Sequence, residues 1–205
     1  LCPDYANRTV LATDNSLYQV LPQGVIYPKN IDDLITLTEL SNMTQFHDIV
    51  LSPRGGGTGT NGQSLTDGLV VDTSKHMNQV LEINAKERWV RVQSGVVKDQ
   101  LNAAIKPYGL FFAPELSTSN RATIGGMINT DASGQGSCAY GKTRDHVLAL
   151  KTILLDGSVL ESSAINDKNL DEQKQYANRV GHIHTVVNDI QQQFRTLLLA
   201  TDPAI

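Results

Sequence analysis

The sequence predicts an α+β fold, and three features of its 205 residues carry that prediction. Near the start, a helical pattern is followed by two short apolar runs with a glycine cluster between them. In the second half, Asp156-Gly157 separates two apolar runs, which is a strong short-range signal of a β-hairpin. Towards the end, apolar residues recur at helical spacing over residues 185–200. Helices and strands are therefore mixed along one chain.

The first predicted unit contains one helix and two strands. Asn30 precedes apolar residues at helical spacing, and Asp32-Asp33 falls in the first turn, where the helix dipole favours negative charge. We therefore predict a helix over residues 30–43. Residues 49–51 and 69–71 are short apolar runs that predict strands, so this segment is expected to form a compact β-α-β-like unit.

The middle of the chain predicts a hairpin followed by a helix. Residues 80–83 and 89–92 are expected to pair across the turn formed by residues 84–87. The apolar side chains of residues 97–105 share one helical face, and Lys106-Pro107 ends the helix because proline has no backbone donor. We expect this second helix to cover the sheet.

The last third predicts a second hairpin, a linker and a helix. Residues 147–155 and 158–160 are the strands that flank the Asp-Gly turn, and residues 162–178 are polar, which predicts a linker before the amphipathic helix. His182 and His184 are expected to lie in a solvated turn. A metal site is disfavoured because the sequence places no acidic or cysteine partner beside them.

Composition and charge exclude several classes of protein. The chain has 17 Lys and Arg against 21 Asp and Glu, a net charge of −4, so we expect no nucleic-acid partner. No apolar run approaches the ~20 residues of a membrane-spanning helix, and the first residues lack the pattern of an export signal. Two cysteines, Cys2 and Cys138, cannot supply the four thiolates of an iron–sulfur cluster, and their scarcity indicates a reducing, cytoplasmic compartment.

Glycine is concentrated in two segments. Of 16 glycines, 11 lie in residues 55–68 and 125–141. Such clustering is favoured where the backbone takes positive φ or closely approaches another group, so each segment is predicted to be a binding loop. Successive amides of residues 53–62 can form a concave anion nest that suits a phosphate. The alternative is a mobile surface loop.

Two nucleotide-binding motifs match by letter and are disfavoured by context. Residues 57–62 fit G-x-G-x-x-G, but that motif requires a helix to follow, and here a predicted strand follows. Residues 136–143 fit the phosphate-binding pattern G-x-x-x-x-G-K-[ST], but a polar stretch precedes them where an apolar strand is needed, and a β-rich segment follows. A P-loop nucleotide-binding protein remains the alternative from a different class.

Several separate segments, in a fixed order, carry a family resemblance. They are Pro53–Gly62, Gly68–Asp72, Val92–Val96, Phe112–Ser117, Ala122–Gly134 and Tyr140–Val147. Over about residues 20–162 the chain resembles the FAD-binding domain of the vanillyl-alcohol oxidase (PCMH-type) superfamily. Within it, the chain is most similar to the glycolate oxidase/D-lactate dehydrogenase branch, and especially to bacterial FAD/iron–sulfur oxidoreductases of the D-2-hydroxyglutarate dehydrogenase type.

The resemblance implies a domain organisation. A PCMH-type fold has two small α/β subdomains with FAD between them. We expect an N-terminal arm over residues 1–19, the FAD-binding domain over 20–163, and a linker and amphipathic helix over 164–205 that lead to a separate substrate domain. The family's catalytic residues would lie in that domain, so this chain alone would bind FAD and turn over little substrate.

The resemblance also implies the residues that hold FAD. The pyrophosphate would lie over the first glycine-rich loop, namely Pro53, Arg54, Gly55, Gly56, Gly57, Thr58, Gly59, Asn61 and Gly62. The flavin side would be lined by Pro114, Glu115, Leu116 and Ser117. The ribityl and pyrophosphate region would pass Ala122, Thr123, Gly125, Gly126 and Asn129. The cavity would be closed by Ala132, Ser133, Gly134 and Gly141, with the backbone of Val147, at the start of its strand, at the adenine edge.

The resemblance finally implies chemistry. Some relatives attach the flavin covalently through a His or Cys, and Thr58 and Arg121 stand at those places, so we expect non-covalent FAD. Cys138 is expected to be a small buried residue. The implied reaction is oxidation of a D-2-hydroxy acid by hydride transfer to flavin N5; alcohol, sugar-acid and UDP-sugar substrates are alternatives. Metal ligands are not expected here, and an iron–sulfur cluster or a membrane-peripheral location would belong to the full-length protein.

Overall fold

A computed structural model describes residues 1–201; residues 202–205, the end of the predicted C-terminal segment, lie outside the described residues. The helices are α1 (Tyr5–Val10), α2 (Ile31–Ser41), α3 (Lys98–Ile105), α4 (Ile124–Asn129), α5 (Ser137–Tyr140), α6 (Asp167–Lys174), α7 (Arg179–Gln193) and α8 (Arg195–Thr201). The strands are β1 (Gly24–Ile26), β2 (Leu51–Arg54), β3 (Leu69–Asp72), β4 (Val80–Asn84), β5 (Trp89–Val92), β6 (Ala149–Ile153) and β7 (Val159–Ser163). Helix and sheet are mixed, which confirms the predicted class.

The chain forms two compact units, Leu1–Val147 and the part that begins at Leu148. The first contains a parallel three-stranded sheet in the order β1-β3-β2. The predicted helix between its outer strands is confirmed as α2, which Asn30 caps by accepting a hydrogen bond from the Asp33 amide at 2.9 Å. The helix ends at Ser41, before the predicted residue 43.

Two strands of this sheet differ from the prediction. β1 was not predicted, because three residues are too few to show a period. β2 begins at Leu51, so Ile49 and Val50 precede it, and it continues through Pro53 to Arg54. Pairing with β3 sets these limits: Leu51 lies opposite Leu69, and the Leu69 amide donates to the Val50 carbonyl at 2.8 Å. Hydrogen bonding to the neighbour, and not local apolarity, defines the strand.

A hairpin and two helices form the core of the rest of the first unit. The predicted pairing of residues 80–83 with 89–92 is confirmed as the antiparallel pair β4–β5. The predicted helix over 97–105 is confirmed as α3, which a 3₁₀ turn and Gly109, at φ 69°, terminate. α3 and α4 pack over the hairpin through one buried cluster, which consists of Val96, Leu101, Ile105, Ala122, Ile124 and Met127.

The second unit starts with the predicted Asp-Gly hairpin. β6 and β7 pair antiparallel, with Ile153 opposite Val159, and Gly157 takes φ 83° in the turn. The first strand is shorter than the predicted 147–155, because its outer residues have no partner in the register.

The polar segment after this hairpin is not simply a linker, and that prediction was wrong. Helix α6 forms within it, with the Asn166 side chain accepting from the Asn169 amide at 2.9 Å. α6 then packs against α7. Its sequence is too polar to show a helical stripe, so the cap and the contact with α7 decide its formation.

The final helical region also starts earlier than predicted. α7 begins at Arg179, so His182 and His184 lie within a helix and the expected solvated turn is wrong. The Asn178 cap, accepting from the Gly181 amide at 3.1 Å, fixes this start. Apolar side chains of α7 and α8 remain substantially exposed, among them Val187 at 60% and Leu197 at 60%. Over residues 1–201, no helix combines the length and apolarity that a membrane span requires.

Candidate cofactor site

The first glycine-rich loop begins where the parallel sheet ends. Arg54 is the last residue of β2, and the adjacent parallel strand β3 ends opposite it at Asp72. In open sheets of parallel strands, ligands bind beyond the carboxyl ends of the strands. The loop therefore starts at the edge of the sheet where a ligand is expected.

The backbone amides of this loop lack protein partners. From Gly55 to Thr60, no amide donates a hydrogen bond to an acceptor within residues 1–201, and the next amide, of Asn61, is bonded to Gln63 Oε1 at 3.0 Å. Gly57 takes φ 60° and Gly62 takes φ 73°. A run of free amides that includes a left-handed residue, here Gly57, is typical of an anion-binding nest. These amides belong to the loop that is predicted from the sequence to bind a phosphate.

Residues 121–123, which come just before the second glycine-rich segment, lie directly against the first segment. A Cβ built on Gly55 would overlap Thr123 Oγ1, and one built on Gly56 would overlap the Arg121 carbonyl. Thr123 is held in place on both sides, since the adjacent Ala122 carbonyl accepts from the Lys98 amide at 3.0 Å and the Ile124 amide donates to Val96 at 2.8 Å. Residues 121–123 thus approach the first loop so closely that neither Gly55 nor Gly56 has room for a side chain.

Helix α4 follows this contact and carries the next predicted site residues. The Thr123 side chain caps α4 by accepting from the Gly126 amide at 3.4 Å. Gly125 packs against Ser94, where a Cβ would overlap the Ser94 Cβ, whereas a Cβ on Gly126 would meet only Thr123 Oγ1, at 3.2 Å. Asn129 is the last residue of α4 and is exposed.

The predicted flavin-side segment, Pro114–Ser117, joins the same region. Gly134 packs against the Glu115 carbonyl, with no space for a Cβ. Glu115 also pairs with Lys98 at 3.5 Å, and the Lys98 side chain is only 3% exposed. Pro114 is fully buried, while Ser117 is exposed. This segment is therefore fixed to the loop that contains Gly134 and to the start of α3.

The end of the second segment is held by Thr143. Its hydroxyl donates to the Ala132 carbonyl at 2.6 Å, and its amide donates to the same carbonyl at 3.2 Å. Gly134 donates to Ser137 Oγ at 2.9 Å, and the neighbouring Ser133 is exposed. Gly141, two residues before Thr143, takes φ 78°. The structure thus places Gly134 against Glu115 and ties Ala132 to Thr143.

Two sequence-based expectations in this region are wrong. Val147 does not start its strand: it follows a 3₁₀ turn, its amide donates to the Arg144 carbonyl at 3.2 Å, and β6 begins at Ala149. Only the carbonyl of Val147 is thus left for another group. Cys138 is exposed on the short helix α5 and not buried, because that helix presents little apolar surface to the core. Both cysteines are free.

The sequence predicts a role for the backbone of Arg54 but not for its side chain. Arg54 is 8% exposed, and its guanidinium donates to the Thr13 carbonyl at 2.7 Å and to the Leu11 carbonyl at 3.3 Å. Burial lowers the pKa of Arg54, and the charges of Asp72 and Asp14 oppose that shift. A basic residue before a glycine run was visible in the sequence, but its burial partners lie some 40 residues away.

Metal chemistry finds no support among the described residues. Within residues 1–201, no group of three or more His, Cys, Asp or Glu side chains is arranged to hold a metal ion. Similarly, in this part of the chain, residues 63–68 form turns and no helix, so the dinucleotide motif at 57–62 lacks the helix it needs. The phosphate-binding pattern at 136–143 has helix α4, and no strand, before it.

A run of free amides fits the diphosphate of a flavin nucleotide, and the overlap of a Cβ with residues 121–123 explains why glycine stands at Gly55 and Gly56. The fold and this loop define a domain that binds such a nucleotide. The family model described as "FAD binding domain" matches residues 22–163. The chain belongs to this FAD-binding family, as the resemblance implied, and its fold is the PCMH-type fold.

Curated relatives are similar over nearly the whole chain. D-2-hydroxyglutarate dehydrogenase of Pseudomonas putida is 61% identical over 98% of this chain and 20% of its own length. The protein of the same name from Escherichia coli is 48% identical, again over 98% of this chain and 20% of its own length. Glycolate oxidase subunit GlcD of Bacillus subtilis is 35% identical over 77% of the chain and 33% of its own length. The chain thus spans about a fifth of the first two relatives.

Solved structures support the fold. Alkyldihydroxyacetonephosphate synthase superposes with a TM-score of 0.69 over 82% of this chain and 32% of that chain, at 22% sequence identity. At this identity, the likeness concerns the fold alone.

Proposed function

We propose that this chain is the FAD-binding part of a dehydrogenase that oxidises a D-2-hydroxy acid, with D-2-hydroxyglutarate as the first substrate to test. The name of the relatives at 61% and 48% identity supports this substrate class. The observation that carries the proposal is the run of free amides from Gly55 to Thr60 opposite Thr123. Such a run offers a diphosphate several donors without any cationic side chain.

In this proposal the two glycine-rich loops bind FAD without a covalent bond. The amides from Gly55 to Thr60 hold the diphosphate, and Pro114–Ser117 lines the flavin side. The residues that accompany the ribityl and pyrophosphate region are Ala122, Thr123, Gly125, Gly126 and Asn129. Bound FAD supplies the two-electron acceptor that oxidation of a hydroxy acid requires. The residues of this chain bind the cofactor, orient it and exclude water around the diphosphate.

The proposal assigns no catalytic acid or base to this chain. It keeps residues 1–19 as an arm, 20–163 as the FAD-binding domain and 164–205 as a connection to a substrate domain. The proposal includes no nucleic-acid partner, and the net charge of −4 supports this. It places the protein in the cytoplasm, which the two free cysteines support.

The test uses the intact protein. We expect it to purify with FAD that is released on denaturation, and D-2-hydroxyglutarate to bleach the flavin absorbance under anaerobic conditions. D-lactate and glycolate form the comparison arms, because relatives named for glycolate and D-lactate are 35% and 33% identical. L-2-Hydroxyglutarate is the stereochemical control. If the protein binds FAD and no D-2-hydroxy acid reduces it, the proposed substrate class is wrong.

A further inference from the structure

The segment Leu11–Ser16, here called the arm turn, is a fixed part of the first unit. Leu11 is 8% and Ala12 1% exposed. The Val20 amide donates to the Ala12 carbonyl at 2.9 Å, and Thr13 and Gln19 form an antiparallel bridge. The chain therefore folds back on itself here and presents the carbonyls of Leu11 and Thr13 to the interior.

The Arg54 guanidinium connects the arm turn to the glycine-rich loop. Its two hydrogen bonds to Thr13 and Leu11 carbonyls are joined by one from Nη1 to Ser64 Oγ, at 3.4 Å. The guanidinium also lies against Gly57, since a Cβ there would overlap Nη2. One buried cation thus contacts the arm turn, the free-amide loop and the turn that follows it.

The arm turn also contacts the loop without Arg54. The Asn15 amide donates to the Gly57 carbonyl at 3.1 Å. Asp14 continues the network, because its carboxylate accepts from the Ser64 hydroxyl at 3.2 Å and from the Ser16 amide at 2.8 Å. The arm turn therefore binds the Gly57 carbonyl. The neighbouring amides from Gly55 to Thr60 donate to no acceptor within residues 1–201.

We propose that Arg54 and the arm turn form a clamp that fixes the glycine-rich loop before FAD binds, so that Arg54 is a positioning residue for the cofactor site. A loop this rich in glycine loses much conformational entropy when it is ordered. A clamp that orders the loop in advance removes that cost from the binding step and raises affinity. This inference rests on the proposed FAD-binding function and adds the arm turn to it.

The test substitutes Arg54→Lys in the intact protein, with Arg8→Lys as the matched control. Lys keeps the charge but cannot donate to Thr13, Leu11 and Ser64 in the fork geometry of a guanidinium. Arg8 is also an arginine that donates to a backbone carbonyl, that of Pro22, away from the glycine-rich loop. We expect Arg54→Lys to raise the FAD dissociation constant about tenfold or more, and Arg8→Lys to leave it within about twofold.

Amide hydrogen exchange supplies a readout other than affinity. In the FAD-free protein, Arg54→Lys should accelerate exchange at Asn15 and leave exchange in β3 unchanged. If the variant is folded but fails to accelerate Asn15, or binds FAD within twofold of wild type, the clamp is overturned. A lower melting temperature with unchanged FAD affinity overturns it too, since Arg54 would then be purely structural.

Ser64→Ala keeps the inference testable if Arg54→Lys does not fold. It removes only the hydroxyl between Arg54 and Asp14, and it should weaken FAD binding several-fold; unchanged affinity overturns the clamp. The proposed function is judged separately. If the wild-type protein takes up no FAD, the proposed function fails, whereas tight wild-type binding with insensitive variants removes only the clamp.

Discussion

At the scale of single residues, the site works with backbone groups. The chain carries a net charge of −4, and Arg54, the buried arginine of this region, donates its hydrogen bonds to the carbonyls of Leu11 and Thr13. Uncharged amides avoid the desolvation cost of a buried charge and still supply directional donors. Glycine is required because a Cβ would overlap the Thr123 hydroxyl at Gly55, the Arg121 carbonyl at Gly56 and the Arg54 guanidinium at Gly57.

Gly56 gives a direct test of this arrangement. In Gly56→Ala, the new methyl group would overlap the Arg121 carbonyl, which cannot move as a side chain can. We expect FAD affinity to fall by more than about tenfold, measured by quenching of flavin fluorescence on binding. The control is Gly109→Ala, where φ is 69° and nothing lies within 4 Å of a Cβ.

The control should cost stability without affecting the cofactor. Alanine in a left-handed conformation costs about 1 kcal/mol, so Gly109→Ala should unfold at lower urea while FAD affinity is unchanged. Equal FAD affinity in Gly56→Ala and wild type would contradict the close approach of Arg121 to the glycine-rich loop.

At the scale of elements, the limits of segments depend on their partners. The α2, α3 and hairpin segments carry their own periodicity, caps and turns, so the sequence predicted them. β2 includes a proline and an arginine that no strand pattern selects, and its pairing with β3 defines it. The arm turn has no pattern at all, and its conformation depends on a cation from another element.

The arm turn predicts a specific pH dependence through Asp14. Burial acts to raise the pKa of Asp14, but hydrogen bonds from Ser16 and Ser64 and the Arg54 charge outweigh it, so the pKa is lowered. The pKa of Asp14 is therefore lower in the folded protein than in the unfolded chain, where it is about 3.9. Above about pH 3.9 the ionised carboxylate stabilises the folded state. This stabilisation is lost as the pH falls through the folded-state pKa.

Asp14→Asn removes this contribution. The difference in unfolding free energy between wild type and Asp14→Asn should therefore be larger at pH 6 than at pH 3, as measured by urea unfolding at both pH values. A difference that stays constant, or that grows on acidification, would show that Asp14 is not held as a carboxylate by the arm turn.

At the scale of the whole molecule, the cofactor site depends on the core beneath it. Val96, Ala122 and Ile124 belong to the buried cluster and also flank Thr123, which contacts the glycine-rich loop. Leu101, at 2% exposure, lies in the same cluster on α3. Packing in this cluster thus fixes one wall of the site.

Leu101→Ala should therefore destabilise the first unit by about 2–5 kcal/mol, because it removes buried apolar contacts and leaves a cavity. The matched control is Leu17→Ala, since Leu17 is fully exposed at 103%, and it should change stability by no more than about 0.5 kcal/mol. Urea unfolding of both variants measures the effect. Equal stability of the two would show that the cluster does not support the unit.

The sequence by itself determined the α+β class, the helices α2 and α3, both hairpins and the two glycine-rich loops, since each depends on local periodicity, turn residues or composition. Tertiary structure alone decided that Gly55 faces Thr123, that Arg54 is buried under Gly57, and that Asn15 holds the loop. Packing against α7 also decided the helical state of residues 167–174, whose composition is polar. The start of α7, which includes His182 and His184, depends on the local cap at Asn178. Contacts between residues that are distant in sequence produce no periodic pattern in that sequence, so only the folded structure shows them.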